Sequence, residues 1–273
     1  MSTFDKVSGQ YQEKALVQQA AAGKLLALLE IGEKEDVLDV ACGPGHITQR
    51  LKTMTSGRVV GTDISAGMIA QAQAKYPDIS FRHLAAEALD YDADFDVVFC
   101  NSSMQWFAEP AKAVRGMFRA LRPGGRIGVA CPATENWSDC FRGVAEEAGA
   151  QPDVSATFAR WKSPWFYLPD ERAYRHLFEA AGFETVSCQI AVEASPYATE
   201  RAVEVFASGA GQGYTGREFY EVPIDDEYVR RFNDHARTAV ERRAQDGKVV
   251  VDFHRLFYLG KKPRRRAQAR GRH

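Results

Sequence analysis

The sequence predicts an α/β protein built on a doubly wound sheet, and three stretches carry that expectation. Residues 36–45, D-V-L-D-V-A-C-G-P-G, begin as an apolar strand and stop in a glycine turn, which feeds a helix with Ile47, Leu51 and Met54 on one face. Strand, tight turn and helix form the unit from which open, mostly parallel sheets are assembled. Residues 58–63 (R-V-V-G-T-D) read as a second strand that ends in an acid about twenty residues past the turn. Residues 95–100 (F-D-V-V-F-C) form a continuous apolar run, the pattern of a strand covered on both faces.

The remaining elements follow in order. Residues 13–30 are rich in Ala and Leu and predict a helix whose apolar face includes Leu16, Ala20 and Leu25. A helix over 66–75 is ended by Pro77, and 79–83 is a short third strand. A helix over 110–121 leads through the turn Arg122-Pro123-Gly124-Gly125 to a fifth strand at 126–130. Helices are expected over 134–149 and 152–162, anchored by Trp137, Phe141, Phe158 and Trp161, and then an aromatic loop at 164–169. Asp170 is placed to cap a helix running to Ala181, and a sixth strand reaches Val192. Residues 197–208 look helical, and the glycine-rich run 208–216 reads either as a mobile lid or as a plain flexible loop. An amphipathic helix over 225–245 is ended by Gly247, and 248–258 is a last strand with Val249, Val251, Phe253 and Phe257 alternating.

Bulk properties bound the function. The 273 residues have ordinary globular composition, with no apolar run near the roughly 20 residues of a membrane span and a polar start unlike a signal peptide, so a cytoplasmic protein is expected. Five scattered cysteines without a C-x-x-C pair suggest reduced thiols, with no metal site and no disulfide framework. The net charge is −1, and therefore −8 without the seven Lys and Arg of residues 261–273. A body this acidic repels polyanions, which argues against nucleic acid as the main substrate and so against an RNA-modifying enzyme. The basic stretch 261–273 is expected to be a disordered, solvated tail.

The chemistry of the turn narrows the ligand. Asp39 sits just before the glycines, where a carboxylate would repel a dinucleotide pyrophosphate, and the third glycine of G-x-G-x-x-G is missing because Thr48 holds its place. An acid beside a close-approach turn suits a ligand with a positive end and no phosphate. With Asp39, Ala41, Gly43 and Gly45 in the pattern acid-x-Gly-x-Gly-x-Gly, Ala41 standing for the first glycine, the chain resembles the class I S-adenosylmethionine (SAM)-dependent methyltransferases. The Leu-x-Pro-Gly-Gly at 121–125 fits the same resemblance. The run N-S-S-M-Q-W-F at 101–107 is similar to the trans-aconitate, malonyl-carrier-protein and juvenile-hormone-acid methyltransferases.

The resemblance implies a Rossmann-like seven-stranded sheet of order 3-2-1-4-5-7-6 with strand seven antiparallel. It implies one methyltransferase domain over 1–260, with a SAM-binding core at about 13–130, 170–192 and 248–260 and helical cap insertions at about 131–169 and 193–247. It also implies SAM as cofactor, held by Asp39, Ala41, Gly43, Gly45, Asp63, Ile64, Met68, Ala86, Glu87 and Asn101. Asp63 has the spacing of a ribose ligand, and Ile64 and Met68 flank adenine unless Met68 belongs to the helix core. Relatives often carry Asp where this chain has Ala85, so the adenine contact passes to the backbone at Ala86, to Glu87 or to water. Gln105, Trp106 and Tyr11 are the expected acceptor positioners, Trp106 facing the sulfonium or packing under the cap, Tyr11 facing the methyl group or simply packing.

Methyl transfer from a sulfonium is an in-line displacement whose carbon the cofactor has already activated. A carboxylate acceptor, ionised at neutral pH, needs no general base, and the expected function is methyl-ester formation on a small carboxylic acid or acyl-thioester. N-, C- or phenol O-methylation of a natural-product intermediate is the alternative, and an inactive SAM-binding or partner-binding protein a third. A cation for a second substrate carboxylate is expected from the cap, with Arg160, Lys162, Arg201 and Arg217 as candidates and Tyr167, Tyr197 and Tyr214 equally open. His46 and His254 are expected to be structural.

Overall fold

The structure, a computed structural model, describes residues 16–264, with side chains from residue 21 onward. Tyr11 lies outside the described residues. The first half alternates: α1 (Leu16–Leu29), β1 (Val37–Val40), α2 (His46–Met54), β2 (Val59–Asp63), α3 (Ala66–Lys75), β3 (Ser80–His83), β4 (Phe95–Asn101), α4 (Pro110–Ala120) and β5 (Leu121–Pro132). The second half contains α5 (Asp139–Gly149), the single turn α6 (Ser155–Phe158), α7 (Glu171–Glu179), β6 (Glu184–Ala198), α8 (Thr199–Ser208), α9 (Ala210–Thr215), α10 (Asp226–Arg242) and β7 (Lys248–Lys261).

The seven strands form one sheet of order β3-β2-β1-β4-β5-β7-β6, the order the resemblance implied. β1 pairs parallel with β2 (Val37 opposite Val59) and with β4 (Val37 opposite Val97). β7 runs antiparallel to both of its neighbours, β5 and β6. β1 is buried along its whole length and β4 nearly so, which is why both read as apolar runs rather than alternations.

Each face of the sheet is covered separately. Val98, Ile127, Val129, Leu256 and Tyr258 pack with Val114 and Met117 of α4 and with Tyr174 and Phe178 of α7. Val37, Val97, Phe99 and Phe257 pack with Leu25, Leu26 and Leu29 of α1 and Leu51 of α2. A third cluster joins α5, α8, α9 and α10 to Val249 and Val251 at the start of β7, and holds most of the aromatic side chains of residues 131–247. Burial of this size drives assembly at roughly 25 cal/mol per Å² of apolar surface.

Several boundaries differ from the sequence expectation. The helix expected over 134–149 starts at Asp139, where Ser138 accepts a hydrogen bond from the Phe141 amide, and the helix expected over 152–162 is only the turn α6. Asp170 caps α7 as expected, accepting from the Ala173 amide at 2.8 Å. β6 continues to Ala198, with Tyr197 opposite Val249, so Tyr197 is a strand residue rather than the start of a helix. Lys261 belongs to β7, and Lys262 donates from Nζ to the Leu121 carbonyl at 2.7 Å, so the basic stretch begins as ordered structure. The run 208–216 is neither lid nor loose loop: it forms α9, Tyr214 is buried, and a Cβ on Gly213 would lie 2.1 Å from the Trp165 ring. The glycines there serve close packing, not mobility.

Candidate active site

The turn after β1 is built from three alternate left-handed positions, Ala41 (φ 58°), Gly43 (φ 55°) and Gly45 (φ 83°). Gly45 has a second constraint, because a Cβ there would come within 2.8 Å of the Phe81 ring. Asp63 at the end of β2 fastens the turn: its carboxylate accepts from the Gly43 amide at 2.9 Å and from the Ser65 amide at 2.8 Å. The Cys42 amide donates to the Thr62 carbonyl, continuing the sheet into the turn.

A cleft opens over the carboxyl ends of β1, β2 and β4. Ala41, Gly43, Asp63, Ile64, Met68, Ala86, Glu87, Asn101 and Trp106, all singled out from the sequence, line it, together with His46, Leu84, Ser102, Ser103 and Phe107. Its walls are mostly apolar, with the Asp63 carboxylate at one end and the Ser102–Ser103 pair at the other, the polar-accented hollow typical of small-molecule sites. No helix among the described residues is long and apolar enough to cross a membrane.

Three expected site residues do not line this cleft. Asp39 is 2% exposed and accepts from Thr48 Oγ1 at 2.7 Å. Burial raises its pKa to about 7, against the lowering effect of the Thr48 bond, and the Asp63 charge adds to the rise. Gly45 lies behind the turn against Phe81. Gln105 is buried, donates from Nε2 to the Ser102 carbonyl at 3.0 Å, and its backbone carbonyl accepts from the Phe166 amide at 2.7 Å. It thus ties the loop after β4 to the aromatic segment of residues 164–169. Glu87 reaches the cleft, yet its carboxylate accepts from the Ala108 amide at 2.9 Å, ahead of α4.

Trp106 meets Trp165 and Phe219, with ring centroids 5.8 and 6.3 Å away, and so joins the cleft to the cap aromatics. His46 lines the cleft with both ring nitrogens buried and without hydrogen-bond partners. Burial, and then the nearby Lys75 charge, lower its pKa, which keeps the imidazole neutral. The cations expected from the cap are engaged: Arg160 and Lys162 both pair with Glu221, Arg201 with Glu204 and Arg217 with Asp226.

Sequence reasoning missed two features. Ser102, at the carboxyl end of β4, takes a left-handed conformation (φ 57°) that costs a non-glycine residue about 1 kcal/mol or more. Arg255 of β7 is 4% exposed and donates from Nη1 to Ser102 Oγ at 3.3 Å. The signal for Arg255 was present, since it falls in phase with Phe253 and Phe257 on the buried side of an alternating strand.

A sheet of this order and a glycine turn locked by an acid at the end of β2 define a methyltransferase fold. Residues 37–125 match the family described as "Methyltransferase domain". The chain is 26% identical over 266 residues to trans-aconitate 2-methyltransferase of Methylobacterium nodulans, covering 94% of this chain and 98% of that one. It is 32% identical over 127 residues to malonyl-[acyl-carrier protein] O-methyltransferase of Salmonella typhimurium, covering 46% and 50% of the two chains. Among solved structures, a putative methyltransferase from Bacillus halodurans superposes with a TM-score of 0.60 at 18% identity, covering 89% of this chain and 99% of that one. The chain is a class I SAM-dependent methyltransferase, and within that class its sequence is similar to the trans-aconitate and malonyl-carrier-protein enzymes.

Proposed function

We propose that this methyltransferase esterifies a carboxylate oxygen of a small acceptor. One observation carries the reading. Of the side chains at the Asn101–Trp106 end of the cleft, none is a base: Ser102, Ser103 and Trp106 neither take up nor release protons near neutral pH. An acceptor with pKa of roughly 4 arrives already ionised and asks only to be placed. The names of two sets of relatives, trans-aconitate 2-methyltransferase and malonyl-[acyl-carrier protein] O-methyltransferase, support the same chemistry.

The cleft's residues fit SAM. The Asp63 carboxylate lines the cleft at the end of β2, the position from which a doubly wound sheet offers an acid to ribose hydroxyls. Ile64, 60% exposed, and Met68 offer an apolar seat for adenine beside the backbone of Ala86 and Glu87. The backbone at Ala41 and Gly43, together with Asn101, borders the methionine end. When bound, SAM supplies an electrophilic methyl group on a sulfonium. The protein's contribution is alignment, with Trp106 and Ser102 holding the acceptor oxygen in line at about 3 Å and the cap aromatics excluding water.

One observation favours the second reading, transfer to a nitrogen or phenol oxygen. The neutral imidazole of His46 has two unpartnered nitrogens at the cleft wall and could take a proton from such an acceptor. The test is chemical. SAM labelled in its methyl group is supplied with trans-aconitate, fumarate and glutarate, and the product is treated with alkali. Methyl esters release labelled methanol; label that survives alkali supports the second reading.

A further inference from the structure

We propose that Arg255, with Ser102 beside it, is the anchor for a second carboxylate on the methyl acceptor. The inference rests on the carboxylate reading above and deepens it, because it selects acceptors with two acidic groups.

Arg255 is 4% exposed, and its one side-chain hydrogen bond among the described residues runs from Nη1 to the neutral hydroxyl of Ser102. Among the described residues no carboxylate oxygen lies within 4 Å of it. The acid that most influences it, Glu193, is paired with Lys24 at 3.0 Å. Burying a charge without a partner is costly, and proteins rarely do so unless a ligand supplies the partner. The remaining guanidinium donors form the planar fork that matches a carboxylate in two parallel hydrogen bonds.

Position supports the same conclusion. On β7, Val249 and Val251 belong to the cap cluster and Phe257 to the cluster under α1, so Arg255 stands at the seam between cap and core. It stacks against Phe253, 5.1 Å from the ring centroid, which fixes the direction of the fork. Its hydrogen-bond partner Ser102 lines the cleft and holds the strained backbone described above. Strain of this kind persists where the surroundings over-determine a residue, commonly at ligand sites. The four cations expected from the sequence pair with Glu221, Glu204 and Asp226, whereas Arg255 is a buried cation one hydrogen bond behind the cleft-lining Ser102.

The experiment compares each dicarboxylate, fumarate and glutarate, with its monoamide, which keeps the shape and one acid but not the second charge. Wild type is expected to favour the diacid by about 100-fold in kcat/KM, the scale of a desolvated charge-assisted pair. Arg255→Met is expected to raise KM for the diacid by about that factor, to leave kcat and SAM affinity within a few-fold, and to bring the diacid-to-monoamide ratio close to one. A merely structural arginine would lower stability and SAM binding without changing that ratio. Arg255→Lys, which keeps the charge and loses the fork, is expected to give an intermediate ratio. If Arg255→Met does not fold, the wild-type ratio and the lysine variant decide. Equal rates on diacid and monoamide in wild type, or an unchanged preference in the variants, overturn the anchor while leaving ester formation standing. Absence of any base-labile methyl product overturns the functional reading itself.

Discussion

Thr48 Oγ1 donates to Asp39 Oδ2 at 2.7 Å, with both residues buried beneath the glycine turn. A carboxyl group so placed prefers to be neutral, and its pKa rises from 3.8 to about 7. In the unfolded chain the group titrates near its ordinary value. Between about pH 4 and 7, therefore, the folded state holds a proton that the unfolded state has lost. The stability this group contributes is present at acid pH and is lost as pH rises towards 7. Melting temperatures of the cofactor-free protein across that range should show the decline, and Asp39→Asn, which cannot ionise, should flatten it. Parallel curves for the two proteins would contradict the assignment.

Two small residues of the turn, Gly45 and Ala41, are predicted to respond unequally to substitution. Gly45→Ala combines φ 83° with a collision at Phe81 and should cost about 2 kcal/mol or more, with loss of SAM binding. Ala41→Gly relieves a left-handed alanine at φ 58°, a gain of about 1 kcal/mol that the greater backbone entropy of glycine largely cancels, so its net effect should stay near zero. Urea unfolding of both variants measures this, and equal destabilisation would contradict it.

Trp165 links the cap to the cleft, with ring centroids 5.8 Å from Trp106, 5.9 Å from Trp137 and 5.2 Å from Tyr214. Trp165→Ala should cost about 3 kcal/mol by opening a cavity. Because Trp165 does not line the cleft, SAM affinity should change little while KM for the acceptor rises. Calorimetry with SAM alone, set against steady-state kinetics, separates the two effects, and equal losses in both would contradict the separation.

His46 distinguishes ester formation from transfer to a weaker acid. With a carboxylate acceptor, kcat should be flat from about pH 6 to 8, because neither acceptor nor protein must lose a proton there. His46→Gln should retain kcat within a few-fold. A rate that climbs with pH in wild type and collapses in the variant would move the acceptor to a nitrogen or phenol.

The core of the fold was legible because local signals and burial agree there. β1 and β4 are covered on both faces and read as apolar runs, while the turn needs its small residues whatever the rest of the chain does. The cap was less legible because its packing is set over long sequence distances. Gly213 resembles a flexible hinge until Trp165 is seen against it. Gln105 carries the chemistry of a ligand contact, yet it is buried and its amide nitrogen donates to the Ser102 carbonyl. Arg255 was overlooked because the alternation of β7 drew attention to its apolar members, although a charged residue in phase with Phe253 and Phe257 is the more informative observation. The left-handed backbone of Ser102 has no local signal, since any residue ending a strand would look the same.

The decisive experiment on the cleft is calorimetric titration of wild type and Asp63→Ala with SAM and with its demethylated product. Wild type should bind both ligands with micromolar affinity. The variant should lose about 10- to 100-fold, the scale of charge-assisted hydrogen bonds to a ligand hydroxyl and to the Gly43 amide. Unchanged affinity in the variant would contradict the placement of the cofactor against Asp63 and the glycine turn, and no binding by wild type would contradict the cleft as a SAM site.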